Sequence, residues 1–292
     1  MSQIRSYSVG EGDMFYINHG SDNFTIIDCC LDQDTEQHIL AQVSTLAKKK
    51  GITRFISTHP DDDHLQGLIK LDEKISIVNF YCVKNTATKP DESKDFIKYK
   101  EFRDSAKAFH IYKGCSRKWM NQSDEERKTS GIEILWPNVE NEEFKKALKL
   151  AAEGKSPNNI SAVIKYSLEG GATFLWMGDL ETAFMEAIES SIALPKVDIL
   201  FASHHGRESG RIPDKMLKTM EPKVIIVGEA PSENLHYYPN YKTITQNSAG
   251  DIHFECNEGK VHIFTSNEYE VDFLDDENYS LLGFHYIGTL NL

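Results

Sequence analysis

Residues 59–64 read His-Pro-Asp-Asp-Asp-His, and five of the six (His59, Asp61, Asp62, Asp63 and His64) carry side chains able to ligate a metal. Imidazole nitrogen and carboxylate oxygen suit zinc, manganese or iron without any thiolate. Side chains of this kind crowded into one turn repel each other unless a cation sits among them. The hexapeptide follows the run Phe55-Ile56-Ser57-Thr58, so it falls where a strand would end and a loop begin. The bland alternative is a solvated acidic turn in which Asp63 caps the helix after it. Asp62 is expected to face solvent in either case.

Further ligand-bearing residues stand at the ends of later strand-like runs: Asn158-Asn159, Gly178-Asp179, His204-His205 and His236. Loops at one end of a sheet system can converge. The close spacing of His59, Asp61 and Asp63 lets one turn feed two adjacent ions, and Asp179 can bridge them from a separate strand. A metal pair about 3.5–4 Å apart clamps a bridging hydroxide and lowers the pKa of bound water towards about 7. Asp13 is expected to stabilise the turn near this site.

The elements that must position these residues alternate. Strand-like pieces occupy residues 4–9, 14–18 and 24–28. A helix follows over 34–50, with Ile39, Leu40, Val43 and Leu46 at three- and four-residue steps and Gly51 at its end. The pattern continues with a strand at 52–57, a short helix at 65–71 and a strand at 75–83. Residues 85–130 are rich in Lys, Asp, Glu and Ser, with Phe96, Tyr99, Phe102, Ala106 and Phe109 at helical steps. They read as a helical insertion beside the sheet. Strands at 132–136, 160–168, 173–177, 197–202 and 224–227 interleave with helices at 142–153 and 181–190, and short strands fill the tail from 251. Two groups of strands, each interleaved with helices, predict an α/β sandwich with sheets face to face and helices outside.

Bulk properties narrow the class. A chain of 292 residues with 40% hydrophobic and 26% charged residues fits one large folded domain or two small ones, and a single domain over 1–292 is the expectation. No apolar run of about 18 residues is present, and the start lacks a basic head with an apolar body. A cytoplasmic protein without a membrane partner is the expectation. The five cysteines, Cys29, Cys30, Cys82, Cys115 and Cys256, form no CxxC pair and read as reduced, buried thiols. A net charge of −13 argues against a general nucleic-acid binder.

These motifs together resemble the metallo-β-lactamase-fold hydrolases. Their signature HxHxDH is matched by His59, Asp63 and His64, with Asp61 where the second His usually stands. The HPDxDH form is similar to the hydrolase domain of bacterial competence (DNA-uptake) proteins. Val9 to Asp13 (VGEGD), Ile26 to Cys30 (IIDCC), Asn158 to Glu181 and Asp198 to Gly206 resemble further blocks of that branch, in its order. The resemblance implies a four-layered αββα sandwich. It also implies a metal-dependent hydrolase holding two divalent ions, zinc or manganese. The implied ligands are His59, Asp61, Asp63, His64, Asp179 and His204, with His205 the rival for the last place. His205 or His236 would assist the leaving group, and Asn159 would meet substrate. A phosphodiester in nucleic acid or a nucleotide is the implied substrate. Carbon esters, lactones, thioesters or amides, and a non-enzymatic subunit with a retained metal site, are the competing readings. Protein partners, for example in defence against foreign DNA, are compatible with a free-standing hydrolase of this kind.

Overall fold

The computed structural model describes residues 1–292. The first half contains β1 (Ser2–Ser6), β2 (Phe15–Asn18), β3 (Asn23–Ile27), α1 (Glu36–Ala47), β4 (Ile52–Ser57), α2 (Leu68–Ile75), β5 (Phe80–Val83), α3 (Lys94–Arg103) and β6 (Ala108–Ile111). The second half contains β7 (Ile132–Trp136), α4 (Glu142–Ala152), β8 (Val163–Ser167), β9 (Thr173–Trp176), α5 (Thr182–Ile188), β10 (Ile199–Phe201), α6 (Asp214–Met220), β11 (Val224–Val227), β12 (Thr243–Thr245), α7 (Gln246–Ala249), β13 (Ile252–Asn257), β14 (Lys260–Thr265) and β15 (His285–Asn291).

Two mixed sheets form. The larger runs β15-β14-β13-β1-β2-β3-β4-β5-β6 and the smaller β12-β11-β10-β9-β8-β7. In the larger sheet β3, β4, β5 and β6 are parallel and the rest antiparallel. In the smaller, β9 to β12 are parallel and β7 and β8 antiparallel.

Period-two alternation sorts the larger sheet's side chains between two cores. Phe15, Ile17, Ile27 and Ile56 face the smaller sheet, where they join Ile134, Ile164, Phe174 and Phe201. Tyr16, Phe24, Ile26 and Phe55 face the other way, onto Ile39 and Val43 of α1, Leu68 and Leu71 of α2, and Phe96, Tyr99 and Phe102 of α3. Aromatic rings join the sheets across their shared core: Trp176 stacks on Phe201 at 4.9 Å, and Phe15 meets Phe201 edge-on at 4.9 Å. Helices α4, α5 and α6 pack Phe144, Met185 and Leu217 against the smaller sheet's outer side. The result is the four-layered αββα sandwich. No helix is long and apolar enough to cross a membrane. All five cysteines are free and buried.

Some element boundaries differ from the sequence expectation. In 85–130 the helix is α3 alone, started by the Ser93 side chain accepting from the Phe96 amide at 3.1 Å. The helical step does not extend to Phe109, which pairs opposite Tyr81 in the edge strand β6. The helix after His64 starts at Leu68 because Gly67 takes a left-handed conformation (φ +87°) between it and the preceding turn. It then runs through Ile75, delaying β5 to Phe80.

Candidate metal centre

The parallel strands set the site. Chain leaving the C-terminal ends of β3, β4, β9 and β10 carries Asp28, residues 58–64, Gly178-Asp179 and Ser203-His204-His205. β2 and β8 run antiparallel to their neighbours, so the segments before them, with Asp13 and Asn159, lie at the same end. Ligands commonly bind outside the carboxyl ends of parallel strands.

Four imidazoles surround the Asp179 carboxylate. Their Nε2 atoms lie 3.2 Å (His64, to Oδ1), 3.5 Å (His205), 3.6 Å (His204) and 3.9 Å (His59, all to Oδ2) from it. Each ring is pinned at its other nitrogen. His59 Nδ1 lies 3.1 Å from Thr58 Oγ1, His64 Nδ1 2.9 Å from Asp28, His204 Nδ1 2.9 Å from Ser209 Oγ, and His205 Nδ1 3.2 Å from Asp13. Asp63 reaches the same centre, 3.6 Å from His205 Nε2 and 4.0 Å from His64 Nε2.

Asp28 orders half of this arrangement. Its carboxylate accepts from the Thr58 amide at 2.7 Å and the Thr58 hydroxyl at 2.6 Å. Because that hydroxyl spends its one proton on Asp28, it accepts from His59, placing the His59 proton on Nδ1 and the lone pair on Nε2. Asp28 itself accepts from His64 Nδ1–H, with the same result there. Such carboxylate–histidine pairs fix tautomer and ring orientation at metal sites.

Local backbone geometry supports this. Asp28 (φ +56°), Gly178 (φ +52°) and the successive His204, His205 and Gly206 (φ +52°, +56° and +89°) are all left-handed. Aspartate tolerates that region better than most residues. At Gly178 a Cβ would meet Ser161 at 2.8 Å, so glycine is required for the turn that delivers Asp179. Ser203 hydroxyl donates to the Gly178 and Leu180 carbonyls, tying the β10 loop to the β9 loop.

Burial, with His64 nearby, pulls His59 down to about 4, so its ring stays neutral. Burial lowers His204 as well. It also opposes charge on His64, but Asp179 and Asp28 outweigh it and hold that imidazole well above its ordinary value. His205 is raised in the same way, against burial, by Asp179 and Asp13. Burial acts to raise both carboxylates; the imidazoles nonetheless hold Asp179 well below the usual range, and Asp63 at about 2. A divalent cation and the protons of His64 and His205 thus compete for one place.

An ion fits this donor set. His59 Nε2, His64 Nε2, His205 Nε2 and Asp179 Oδ1 are all buried without a hydrogen-bond partner. An unsatisfied buried group of this kind costs about 1–3 kcal/mol, and a cation among them would satisfy those that ligate it. Asp13, His64, Asp179 and His205 each offer an atom within 4.8 Å of the others. Asp13 touches His205 through Nδ1, so its part is to orient that ring while Nε2 faces the centre.

Of the residues singled out in the sequence, the fold brings His59, Asp63, His64, Asp179, His204 and His205 together. Both adjacent histidines reach Asp179, and His205 is the more buried. Asp61 is turned to Lys89, whose Nζ lies 2.6 Å from it, and to the Asp62 amide at 2.9 Å. Asn159 is clasped by Glu181 at both ends: its Nδ2 donates to Glu181 Oε2 at 2.7 Å and its Oδ1 accepts from the Glu181 amide at 3.0 Å. His236 is exposed, its ring against Tyr237. Asp28 had no site role in the sequence reading and Asp13 only a turn-stabilising one. The available signal was that each belongs to a matched block, IIDCC and VGEGD, beside a strand end.

No family model matches the chain, and no curated protein matches it in sequence. Among solved structures, Igni18, titled a novel metallo hydrolase of the hyperthermophilic archaeon Ignicoccus hospitalis KIN4/I, is similar with a TM-score of 0.49 and 11% identity, over 87% of this chain and 99% of that one.

Proposed function

We propose that the chain is a metal-dependent hydrolase built as a single domain over residues 1–292. The observation that carries this is the four imidazoles pinned at Nδ1 with Nε2 directed at one buried carboxylate. Residues 252–291 support the single domain, since β13 pairs with β1 and completes the larger sheet. Asp63, His64, Asp179 and His205, with His59 and His204 adjoining, would hold the metal. A divalent ion there supplies Lewis-acid charge and a water acidic enough to be nucleophilic near neutral pH. The chain's own part is to keep Nε2 lone pairs on His59 and His64 through Asp28, to hold the ring of His205 through Asp13, and to present His204, the partly exposed imidazole, at the rim.

The substrate we propose is a phosphodiester in a nucleotide or nucleic acid, hydrolysed in the cytoplasm. The support is the HPDxDH form with Asp61 and the order of the matched blocks. The net charge of −13 favours small or single-stranded substrates over long duplexes. The test is turnover of bis-p-nitrophenyl phosphate with added Mn2+ or Zn2+, beside lactone and thioester panels. The expected result is phosphodiester cleavage that falls to background in Asp179→Ala and Asp63→Ala. Cleavage of the carbon esters alone would overturn the substrate, and no turnover of any panel by metal-loaded protein would overturn the enzyme.

A further inference from the structure

The motif resemblance implies two ions, yet the donors around Asp179 divide unequally. His64 and His205 each approach both Asp63 and Asp179, with separations of 3.2 to 4.0 Å. The donors left for a second ion are His59, Asp61, Asn159 and His204, and two of these are already engaged. Both ends of the Asn159 amide are held by Glu181. Asp61 Oδ1 is held by the Lys89 ammonium at 2.6 Å.

Lys89 is built into this position. Its ammonium also reaches Asp62 at 2.7 Å, and it lies over the Phe96 ring at 5.3 Å. The segment carrying it is fastened on both sides. Thr88 donates from its amide and hydroxyl to the carbonyls of Ala151 and Ala152 at the end of α4. Ser93 donates to Asp62 at 2.6 Å, and Asp95 accepts from the Gly67 and Ile69 amides at 2.9 Å. An ammonium fixed in this way repels a cation that would share Asp61.

We infer that this chain holds one divalent ion, in the Asp63–His64–Asp179–His205 set, and that the Lys89 ammonium takes the place of a second cation beside Asp61. The inference rests on the metal-dependent reading of the site. It leaves His59 Nε2, buried and 3.9 Å from Asp179 Oδ2, outside that ligand set.

The experiment is metal stoichiometry of the full chain, by elemental analysis after equilibration with excess Mn2+ and gel filtration, with the Mn2+ electron paramagnetic resonance spectrum recorded in parallel. Wild type is expected to carry one ion per chain with an uncoupled spectrum. Asp61→Asn is expected to keep that ion. Lys89→Met, which retains the aliphatic stem, is expected to accept a second at millimolar Mn2+ and to develop a spin-coupled spectrum. Two ions in wild type, loss of the ion in Asp61→Asn, or a single ion in folded Lys89→Met would each overturn the inference while leaving the metal-dependent reading intact. No ion at all would overturn both.

Discussion

Asp28→Asn tests the ordering of the site by exchanging one carboxylate oxygen for an NH2 group. Asn suits the left-handed backbone (φ +56°) as well as Asp does, so the substitution adds no strain. The hydrogen bonds cannot survive it unchanged. If the amide nitrogen takes the Oδ1 place, it faces the Thr58 N–H, now 2.7 Å away, donor to donor. If it takes the Oδ2 place, it donates to Thr58 Oγ1 and His64 Nδ1, which now lie 2.6 Å and 2.9 Å from that oxygen. His64 must then carry its proton on Nε2. Thr58 turns its own proton to His59 Nδ1, and His59 changes tautomer too. The flipped His64 presents N–H where the metal needs a lone pair, and His59 turns an N–H toward Asp179. Loss of such an outer partner typically costs about 10–100-fold in metal affinity, or about 1.4–2.8 kcal/mol. The assay is competition for Zn2+ against a chromophoric chelator at fixed pH, with a thermal melt of each protein as the control for folding. Asp28→Asn that melts as wild type does and binds within about twofold of it would refute the tautomer argument.

Two more outcomes follow from the same geometry. Metal binding should release protons at neutral pH, because Asp179 with Asp28 or Asp13 keeps His64 and His205 protonated above the ordinary imidazole value of 6.5. Calorimetry in buffers of different ionisation enthalpy measures this, and a binding heat independent of buffer would disprove it. In the metal-free chain those two groups stabilise the fold fully below about 6.5, and that contribution is lost as pH rises through their folded values. Gly178→Ala should lower stability by roughly 2–5 kcal/mol, from the left-handed backbone and the overlap with Ser161 together. It should also cut metal occupancy by shifting Asp179. A denaturant midpoint like that of wild type would show that the turn is not constrained.

Much of the site was legible in the chain because its chemistry is local. HPDDDH concentrates ligands in one loop, and Gly178-Asp179 and His204-His205 each sit directly after an apolar run, so residue type and position together pointed to them. The layers were legible for a similar reason. Two groups of strands, each interleaved with helices, imply packed sheets with helices outside, and β2 is accordingly buried on both faces through Phe15, Tyr16 and Ile17. The limits of α2 and β5 were not legible, since the apolar spacing of residues 65–83 suits a helix or a strand, and packing of Leu68 and Leu71 beneath α1 made the choice. Likewise Phe109 continued a helical step in the sequence, but edge pairing with β5 claimed it.

Taken alone, the sequence determined which groups were available: histidines, carboxylates and strand ends in an order that limits the fold. Only the tertiary structure decided how each group is used, because a side chain's role depends on which partner claims its other atom. Asp28, Thr58, Ser209 and Asp13 claim the Nδ1 atoms and so turn four Nε2 atoms to Asp179. Lys89 and Glu181, 28 and 22 residues away, claim Asp61 Oδ1 and the Asn159 amide. Residue spacing carries no record of such long-range pairings, which exist only once the strands have brought their ends together.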